Sequence, residues 1–269
     1  MDLNKNIKDC PFVFLDLETT GLDAVTGDSI CEIGILKVQG GEVVDTFHSL
    51  INPKKSMPFQ AYQVHKISDE ALKTAPYFED VAENLIAFLK DYIVCAYNVS
   101  FDMGFIKHHL ERMNFPIPKL TALDVLSMAR DVLKLSRYNL EAAAQFFNIG
   151  FDSLHRAFDD AEAAYKVFFK LIDIFKGKGI ERLEEFIKLY GLEDESSILE
   201  ENKKIILLKQ AVESNSWLKM KYFYSANIEE GKIMPLRVSE EKKCFYLWFQ
   251  TLNSTSRRIK LNRILDMEA

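Results

Sequence analysis

Asp16 and Glu18 close an apolar run in the string Phe12-Val13-Phe14-Leu15-Asp16-Leu17-Glu18-Thr19-Thr20-Gly21-Leu22. A strand sends residues i and i+2 to the same face. Two carboxylates therefore stand side by side at the end of a strand whose apolar character marks it as buried on both faces. Such a pair repels itself and loses hydration, and a bound cation offsets both costs. Hard divalent ions such as magnesium and manganese take oxygen ligands of this kind. The pattern points to a metal-dependent phosphodiesterase site, provided the chain supplies more acid and a base.

Three further residues meet that requirement. Asp102 follows Asn98-Val99-Ser100-Phe101 and opens a helical pattern, and Asp160 falls near another helix start. Each has an ordinary alternative: acid in a first helical turn is favoured by the helix dipole. His155 taken alone reads as an ordinary polar loop histidine. Their conjunction carries more weight. Asp16, Glu18, Asp102, His155 and Asp160 fall at strand ends and helix starts of one α/β pattern, where the loops of open α/β sheets form binding crevices. His155 and Asp160 are five residues apart and do not share a helix face. That spacing suits a histidine on a mobile lip and an aspartate anchored in the helix that follows.

The elements that must position these groups can be read from periodicity. Phe12–Glu18 is a central strand. Ser29–Val38 and Glu42–Ile51 are strands joined by Gly40-Gly41, a two-residue hairpin signal. Phe78–Lys90 and Phe101–Met113 carry apolar residues at helical spacing, with strands at Tyr92–Ala96 and Leu120–Asp124. Helices are predicted at Val125–Leu133, Leu140–Phe147 and Asp159–Phe175. The order indicates an α/β domain with a mixed sheet. Gly177-Lys178-Gly179 interrupts it. Ile180–Tyr190 reads as a short helix, and Gly191–Ser197 as a polar, acidic link. A helix near Lys204–Glu213 and strand-like runs at Leu218–Tyr224, Lys232–Arg237, Cys244–Phe249 and Arg257–Leu261 predict a separate small β-rich domain. The expected division is 1–176, a linker at 177–203, and 204–269.

The 269 residues suit one large domain or two smaller ones, and 48% hydrophobic with 12% aromatic residues supply a sizeable core. No run of eighteen apolar residues exists, so no membrane span is expected. The N-terminus, Met1-Asp2-Leu3-Asn4-Lys5, lacks an apolar signal region. Cys10, Cys31, Cys95 and Cys244 are scattered, which fits reduced thiols in a cytoplasm and argues against a thiolate zinc site. Net charge is −6, unevenly spread: residues 1–176 carry 18 basic and 25 acidic side chains, residues 177–202 carry 3 and 8, and residues 203–269 carry 13 and 7. The basic excess lies in the tail. Bound divalent ions would neutralise part of the N-terminal acid.

The motifs resemble those of a known family. Phe14-Leu-Asp16-Leu-Glu18-Thr-Thr-Gly-Leu22 resembles the first exonuclease motif of the DnaQ-like nucleases. Asn98-Val-Ser-Phe101-Asp102-Met-Gly-Phe105 resembles the second, and His155-Arg-Ala-Phe-Asp-Asp160-Ala the third in its histidine-containing (DEDDh) form. Val64-His65-Lys66-Ile67-Ser68-Asp69-Glu70 with Ala75-Pro76 is similar to a further signature, with Lys66 where the family usually has Gly. Leu123-Asp124-Val125-Leu126 to Ala129-Arg130 also matches. The resemblance covers roughly residues 10–175, and three motifs in order are specific.

It implies a ribonuclease H-like fold and stepwise 3′→5′ removal of mononucleotides; the leading expectation is action on single-stranded ends, with DNA favoured over RNA although no residue here reads the 2′-hydroxyl. By position, Asp16 would bridge two divalent metal ions, Mg or Mn. Glu18 and Asp160 would complete the first ion, Asp102 would hold the second partly through water, and His155 would be the general base. Paired ions about 3.5–4 Å apart suit an in-line displacement, and a histidine titrating near neutrality suits proton removal. The Thr19 backbone and the Leu22 side chain would meet the terminal nucleotide, with His65, Asn98 and Phe101 nearby. Phe101 reads equally as a core residue at helical spacing with Phe105.

In the tail, Tyr222-Phe-Tyr224, Met234-Pro-Leu236, Cys244-Phe-Tyr-Leu-Trp248 and Arg257–Ile264 resemble a WYL domain, with Phe245-Tyr246-Leu247 in place of the name-giving triplet. This implies a small Sm-like or SH3-like β-barrel that binds nucleic acid or a nucleotide-like ligand. Basic residues interleaved with Tyr and Trp are how single-strand binders are built, although a solvated sheet face is the plain alternative. Arg258, Lys260 and Arg263 are the candidate phosphate contacts and Tyr246 a ligand candidate. Three roles compete: a stand-alone repair or processing nuclease, a proofreading subunit, and a non-catalytic regulator. A two-fold homodimer is the default assembly.

Overall fold

The computed structural model describes residues 2–150, 155–192, 195–242 and 244–268. The chain divides into two units, Met1–Ile174 and Phe175–Ala269.

The first unit runs β1 (Phe12–Thr19), β2 (Ile30–Gln39), β3 (Glu42–Leu50), α1 (Phe59–His65), α2 (Asp69–Leu72), α3 (Phe78–Leu89), β4 (Ile93–Ala96), α4 (Val99–Arg112), β5 (Ala122–Asp124), α5 (Val125–Val132), α6 (Leu140–Phe146) and α7 (Ala157–Lys176). Its sheet has the order β3-β2-β1-β4-β5. β2 is antiparallel to both its neighbours, while β4 is parallel to β1 and to β5. This is the mixed sheet that the alternation of elements predicts. Gly40 and Gly41 both have positive φ, +60° and +83°, in a two-residue turn closed by the Gln39–Glu42 pair. That backbone is the one matched to the twist of a tight hairpin, and glycine adopts it freely.

β1 is central and its apolar run is fully buried. Val13, Leu15 and Leu17 share a core with Leu85 and Leu89 of α3 and with Phe105, Ile106 and Leu110 of α4. The opposite face carries Phe12 and Phe14, which α7 covers. Phe12 meets the ring of Phe168 at 4.9 Å, and Phe14 meets Tyr165 at 5.4 Å. As β1 advances, its partners on α7 recede in number, so helix and strand are antiparallel. The start of α7 is thereby laid over the end of β1, where Asp16 and Glu18 continue the Phe12–Phe14 face.

The short helices α1 and α2 are not signalled in the sequence. Seven and four residues long, they fall below the window in which periodicity is informative, and α1 exposes Phe59, Tyr62 and Val64.

The second unit holds α8 (Leu183–Tyr190), α9 (Glu195–Glu213), β6 (Leu218–Tyr224), β7 (Asn227–Glu241), β8 (Cys244–Thr251), β9 (Ser256–Lys260) and β10 (Ile264–Glu268). Its sheet is antiparallel with the order β10-β6-β7-β8-β9. Among the described residues no pairing joins β9 to β10, so the expected barrel is instead a second open sheet. The 3₁₀ turn Leu261–Arg263 separates these two strands, and β10 pairs with β6. Leu218, Met220, Leu247, Phe249 and Ile259 form its core with Ile205, Leu208 and Ala211 of α9. β7 is far longer than expected: it pairs with β6 over its first half and with β8 over its second, with a register shift between Pro235 and Arg237. Such a bulge accommodates a residue that cannot donate to the ladder. Residues 177–203, expected as a link, hold α8 and the first half of α9. α8 is fastened to the second sheet by Lys221 to Glu185, 2.9 Å, and by Lys188 to the Leu265 carbonyl, 3.0 Å. No helix among the described residues is long and apolar enough to cross a membrane.

Candidate active site

The carboxyl end of β1 is held from two sides. Asp102, in the first turn of α4 and 3% exposed, accepts a hydrogen bond from the Leu17 N–H at 3.1 Å. α4 is itself set by Asp124 at the end of β5, whose Oδ1 accepts from the N–H groups of Asn98 (3.1 Å) and Val99 (3.3 Å) while Ser127 Oγ donates to Oδ2. Asn98 takes the left-handed conformation, φ +81°, at the helix N-cap, a geometry that Asn tolerates better than most residues. The parallel β1–β4–β5 ladder thus delivers Asp102 beside Asp16, and the sequence match around Asp124 acquires a structural task.

The other side is α7. Asp160 is 9% exposed, its N–H donates to the Arg156 carbonyl at 2.9 Å, and its Oδ1 is buried with no hydrogen-bond partner. His155, just before the helix, is exposed and has φ +61°. One ligand atom from each of Glu18, His155 and Asp160 lies within 4.8 Å of the others. The structure therefore brings Asp16, Glu18, Asp102, His155 and Asp160 to one place.

The electrostatics follow from that crowding. Burial, then the charges of Asp102, Asp160, Glu18 and Glu32, push Asp16 well above the usual carboxylate range. Glu18 is pushed up to about 8, by burial first and then by Asp160, Glu32 and Asp102, with Arg156 opposing. Burial raises Asp160 to about 6 against the pull of His155. It also raises Asp102, with backbone N–H groups, Leu17's among them, opposing. Carboxylates that resist joint ionisation, together with an orphaned buried oxygen, fit a divalent cation with hard oxygen ligands.

Glu32 is a charged neighbour of these groups that the sequence reading missed. It is fully buried on β2, directly opposite Glu18 in the ladder. Burial would raise it, but bonds from Arg156, His48 and the Ala157 N–H outweigh that and hold it below its ordinary value. The available signal was a lone acid inside Ile30-Cys31-Glu32-Ile33, because a charge in a buried strand needs partners.

The nucleotide candidates differ in exposure and packing. Thr19 is buried and Leu22 is 86% exposed. His65 is buried, its Nδ1 accepts from the Ile67 N–H at 3.1 Å, and burial lowers its pKa. Lys66 caps α1 in the left-handed conformation, φ +61°, the geometry that explains why glycine is usual there. Phe101 packs against the core and on Phe105 at 4.9 Å, with part of its ring exposed.

In the second unit, Tyr246, Arg258 and Lys260 share the outer face of β8–β9, opposite the buried Leu247 and Phe249. Arg258 stacks on Tyr246 at 3.9 Å and pairs with Glu241 at 2.5 Å. Arg263 lies elsewhere, over Tyr190 and Phe223.

The exonuclease family model (RNase_T) matches residues 13–168. The DNA polymerase III PolC-type of Thermotoga maritima is 34% identical over 223 residues, 80% of this chain and 16% of that protein. The 3′-5′ exonuclease DinG of Staphylococcus epidermidis is 34% identical over 166 residues, 61% of this chain and 18% of that protein. The chain thus spans less than a fifth of the length of either relative. Among solved structures, E. coli exonuclease I in complex with a dA16 oligonucleotide aligns with a TM-score of 0.57 at 14% identity, covering 90% of this chain and 55% of that one. The likeness shows the fold: a ribonuclease H-like mixed sheet followed by a second antiparallel sheet.

Proposed function

The chain belongs to the exonuclease family, and from that premise we propose that it is a divalent-metal-dependent 3′→5′ exonuclease releasing nucleoside monophosphates from single-stranded ends, with DNA favoured over RNA. The observation that carries the reading is the group of four carboxylates with raised pKa values beside His155, one of whose oxygens is buried and unpartnered. The direction of attack is supported by the relative named a 3′-5′ exonuclease, and the single-stranded substrate by the neighbour bound to dA16.

Asp16, Glu18, Asp102 and Asp160 would hold magnesium or manganese. When bound, two such ions neutralise charge on the attacking and leaving oxygens of an in-line displacement. His155, exposed at the lip, takes the proton of the attacking water. Leu17 and Asp102 hold the end of β1 against α4, so these acids are set before substrate arrives. The Thr19 backbone, Leu22, His65, Asn98 and Phe101 receive the terminal nucleotide. A partly exposed Phe101 ring suits stacking on an unpaired base, a contact worth about 1–3 kcal/mol that tolerates any sequence.

The second unit, on this reading, is a WYL-like module that guides the strand or senses a nucleotide-like ligand through Tyr246, Arg258 and Lys260. The whole would serve DNA repair or processing in the cytoplasm. The PolC-type relative favours a second role, proofreading for a polymerase. A panel of 3′-labelled single-stranded, duplex and mismatched DNA and RNA, run with magnesium, manganese or a chelator, tests these readings. Metal-dependent release from single-stranded ends supports a processing nuclease, and preference for mismatched duplex ends supports proofreading. Binding without release under every metal condition would leave a non-catalytic regulator.

A further inference from the structure

Resting on that reading of the site, we infer that Glu32 and Gly34 form a seat for the N-terminal end of α7, and that Glu32 is a positioning residue for His155 and Asp160. In the β1–β2 ladder Asp16 pairs with Gly34 and Glu18 with Glu32. Directly opposed residues share a face of the sheet, so the seat lies beside the two carboxylates.

Gly34 clears the space. A Cβ there would lie 2.2 Å from the Phe158 nitrogen and 2.3 Å from the Ala157 carbonyl carbon. These are backbone atoms and cannot swing aside, so the helix start rests directly on the strand. Glu32 then fixes what Gly34 admits. It accepts from Arg156 Nη2 at 2.6 Å and from Arg156 Nε at 3.2 and 3.1 Å, from the Ala157 N–H at 3.1 Å, and from His48 Nε2 at 2.8 Å.

Two consecutive residues, Arg156 and Ala157, are thus pinned to one buried carboxylate. His155 immediately precedes them with its left-handed backbone, and the Arg156 carbonyl accepts the Asp160 N–H. Both functional side chains hang from the pinned segment. Unlike Asp160, whose Oδ1 is buried without a partner, Glu32 has both oxygens engaged, which separates holding the site from forming it. A buried ion pair is poor evidence for stability in itself, since apolar replacements are often neutral or better, so geometry is the stronger reason for this one.

The test uses the full chain with Glu32→Gln, which keeps an acceptor for Ala157 and removes the charge that orders Arg156. The probes are Mn²⁺ binding by calorimetry and turnover of a 3′-labelled oligonucleotide. Partners that orient metal ligands typically account for about 10–100-fold in affinity or activity. The expected result is Mn²⁺ binding and kcat each lower by at least about tenfold, with the oligonucleotide KM little changed. A folded Glu32→Gln protein with wild-type kcat and Mn²⁺ affinity would overturn the inference. If that variant does not fold, Arg156→Gln replaces it, at a side chain 42% exposed, with the same expected losses and the same overturning result. Should the wild type bind Mn²⁺ yet release no nucleotide, and the variant lose that binding, the exonuclease reading fails and the seat stands. A wild type that releases nucleotide with an equally active variant fails the seat alone, and one that binds no Mn²⁺ overturns both.

Discussion

Asp102 Oδ1 accepts the Leu17 N–H at 3.1 Å across 85 residues of sequence. The bond crosses from the first turn of α4 to the end of β1, so one carboxylate both belongs to the acidic cluster and fastens the strand that presents Asp16 and Glu18. The two tasks separate by substitution. Asp102→Asn keeps an acceptor for Leu17 and removes a charge that raises Asp16. It should abolish nucleotide release while raising the melting temperature measured in chelator. Asp102→Ala also loses the bond and should be less stable than Asp102→Asn by about 1 kcal/mol. Thermal melts of the pair in chelator check this, with equal stabilities counting against the fastening role.

Replacing Asp16 and Glu18 together by Ala should eliminate metal-dependent release of mononucleotides and leave the fold intact, because both lie at the end of the buried run. Release assays beside circular dichroism decide it. Unchanged turnover in the folded variant would refute the catalytic assignment.

The pH dependence of stability has a definite sign. A carboxyl whose folded pKa exceeds its unfolded value holds its proton more tightly in the native state, so ionising it destabilises the fold. For Glu18 the window runs from 4.5 to about 8, and for Asp160 from 3.8 to about 6. In chelator the melting temperature should fall as pH rises from about 5 to 8, and Mn²⁺ should restore it most at the upper end. Glu32 acts oppositely, stabilising above its ordinary value of 4.5 and losing that contribution as pH falls below it. A flat or rising chelator profile over the first window would contradict the crowding described for the site.

Lys66 holds a left-handed backbone at the C-cap of α1, which costs an L-residue about 1–2 kcal/mol relative to glycine. The extra freedom of glycine in the unfolded chain offsets part of this. Lys66→Gly should therefore stabilise the protein by up to about 1 kcal/mol, measured by urea unfolding.

Deleting the tail from residue 203 would cut α9, whose Ile205, Leu208 and Ala211 belong to the core of the second unit. Point changes test it more cleanly. If the outer face of β8–β9 meets phosphate, Arg258→Gln with Lys260→Gln should weaken oligonucleotide binding and reduce the slope of log K against log salt by about 1–2. An unaltered slope would exclude direct electrostatic contact by that face.

Much of the first unit is legible because its signals are local. The apolar run before Asp16, the alternate facing of Asp16 and Glu18, and the two glycines of the hairpin act within a few residues of themselves. Features with non-local causes are not legible. Glu32 looks misplaced in its strand until Arg156, 124 residues away, is brought beside it. The strand β10 is five residues long and gains its identity by pairing with β6. Whether the second sheet closes depends on its end strands meeting, which no periodicity encodes.

By itself, the sequence determined the kinds of groups and their order: two carboxylates at a strand end, acids in two helix starts, and a histidine before one of them. Tertiary structure decided which of these meet. α7 lies antiparallel over the Phe12–Phe14 face because Phe168 and Tyr165 bury that face, and a helix so placed must begin where Asp16 and Glu18 end. Residue spacing carries no record of which strand face a distant helix will cover. Burial of that face, and the absence of a side chain at Gly34, set Asp160 beside Asp16.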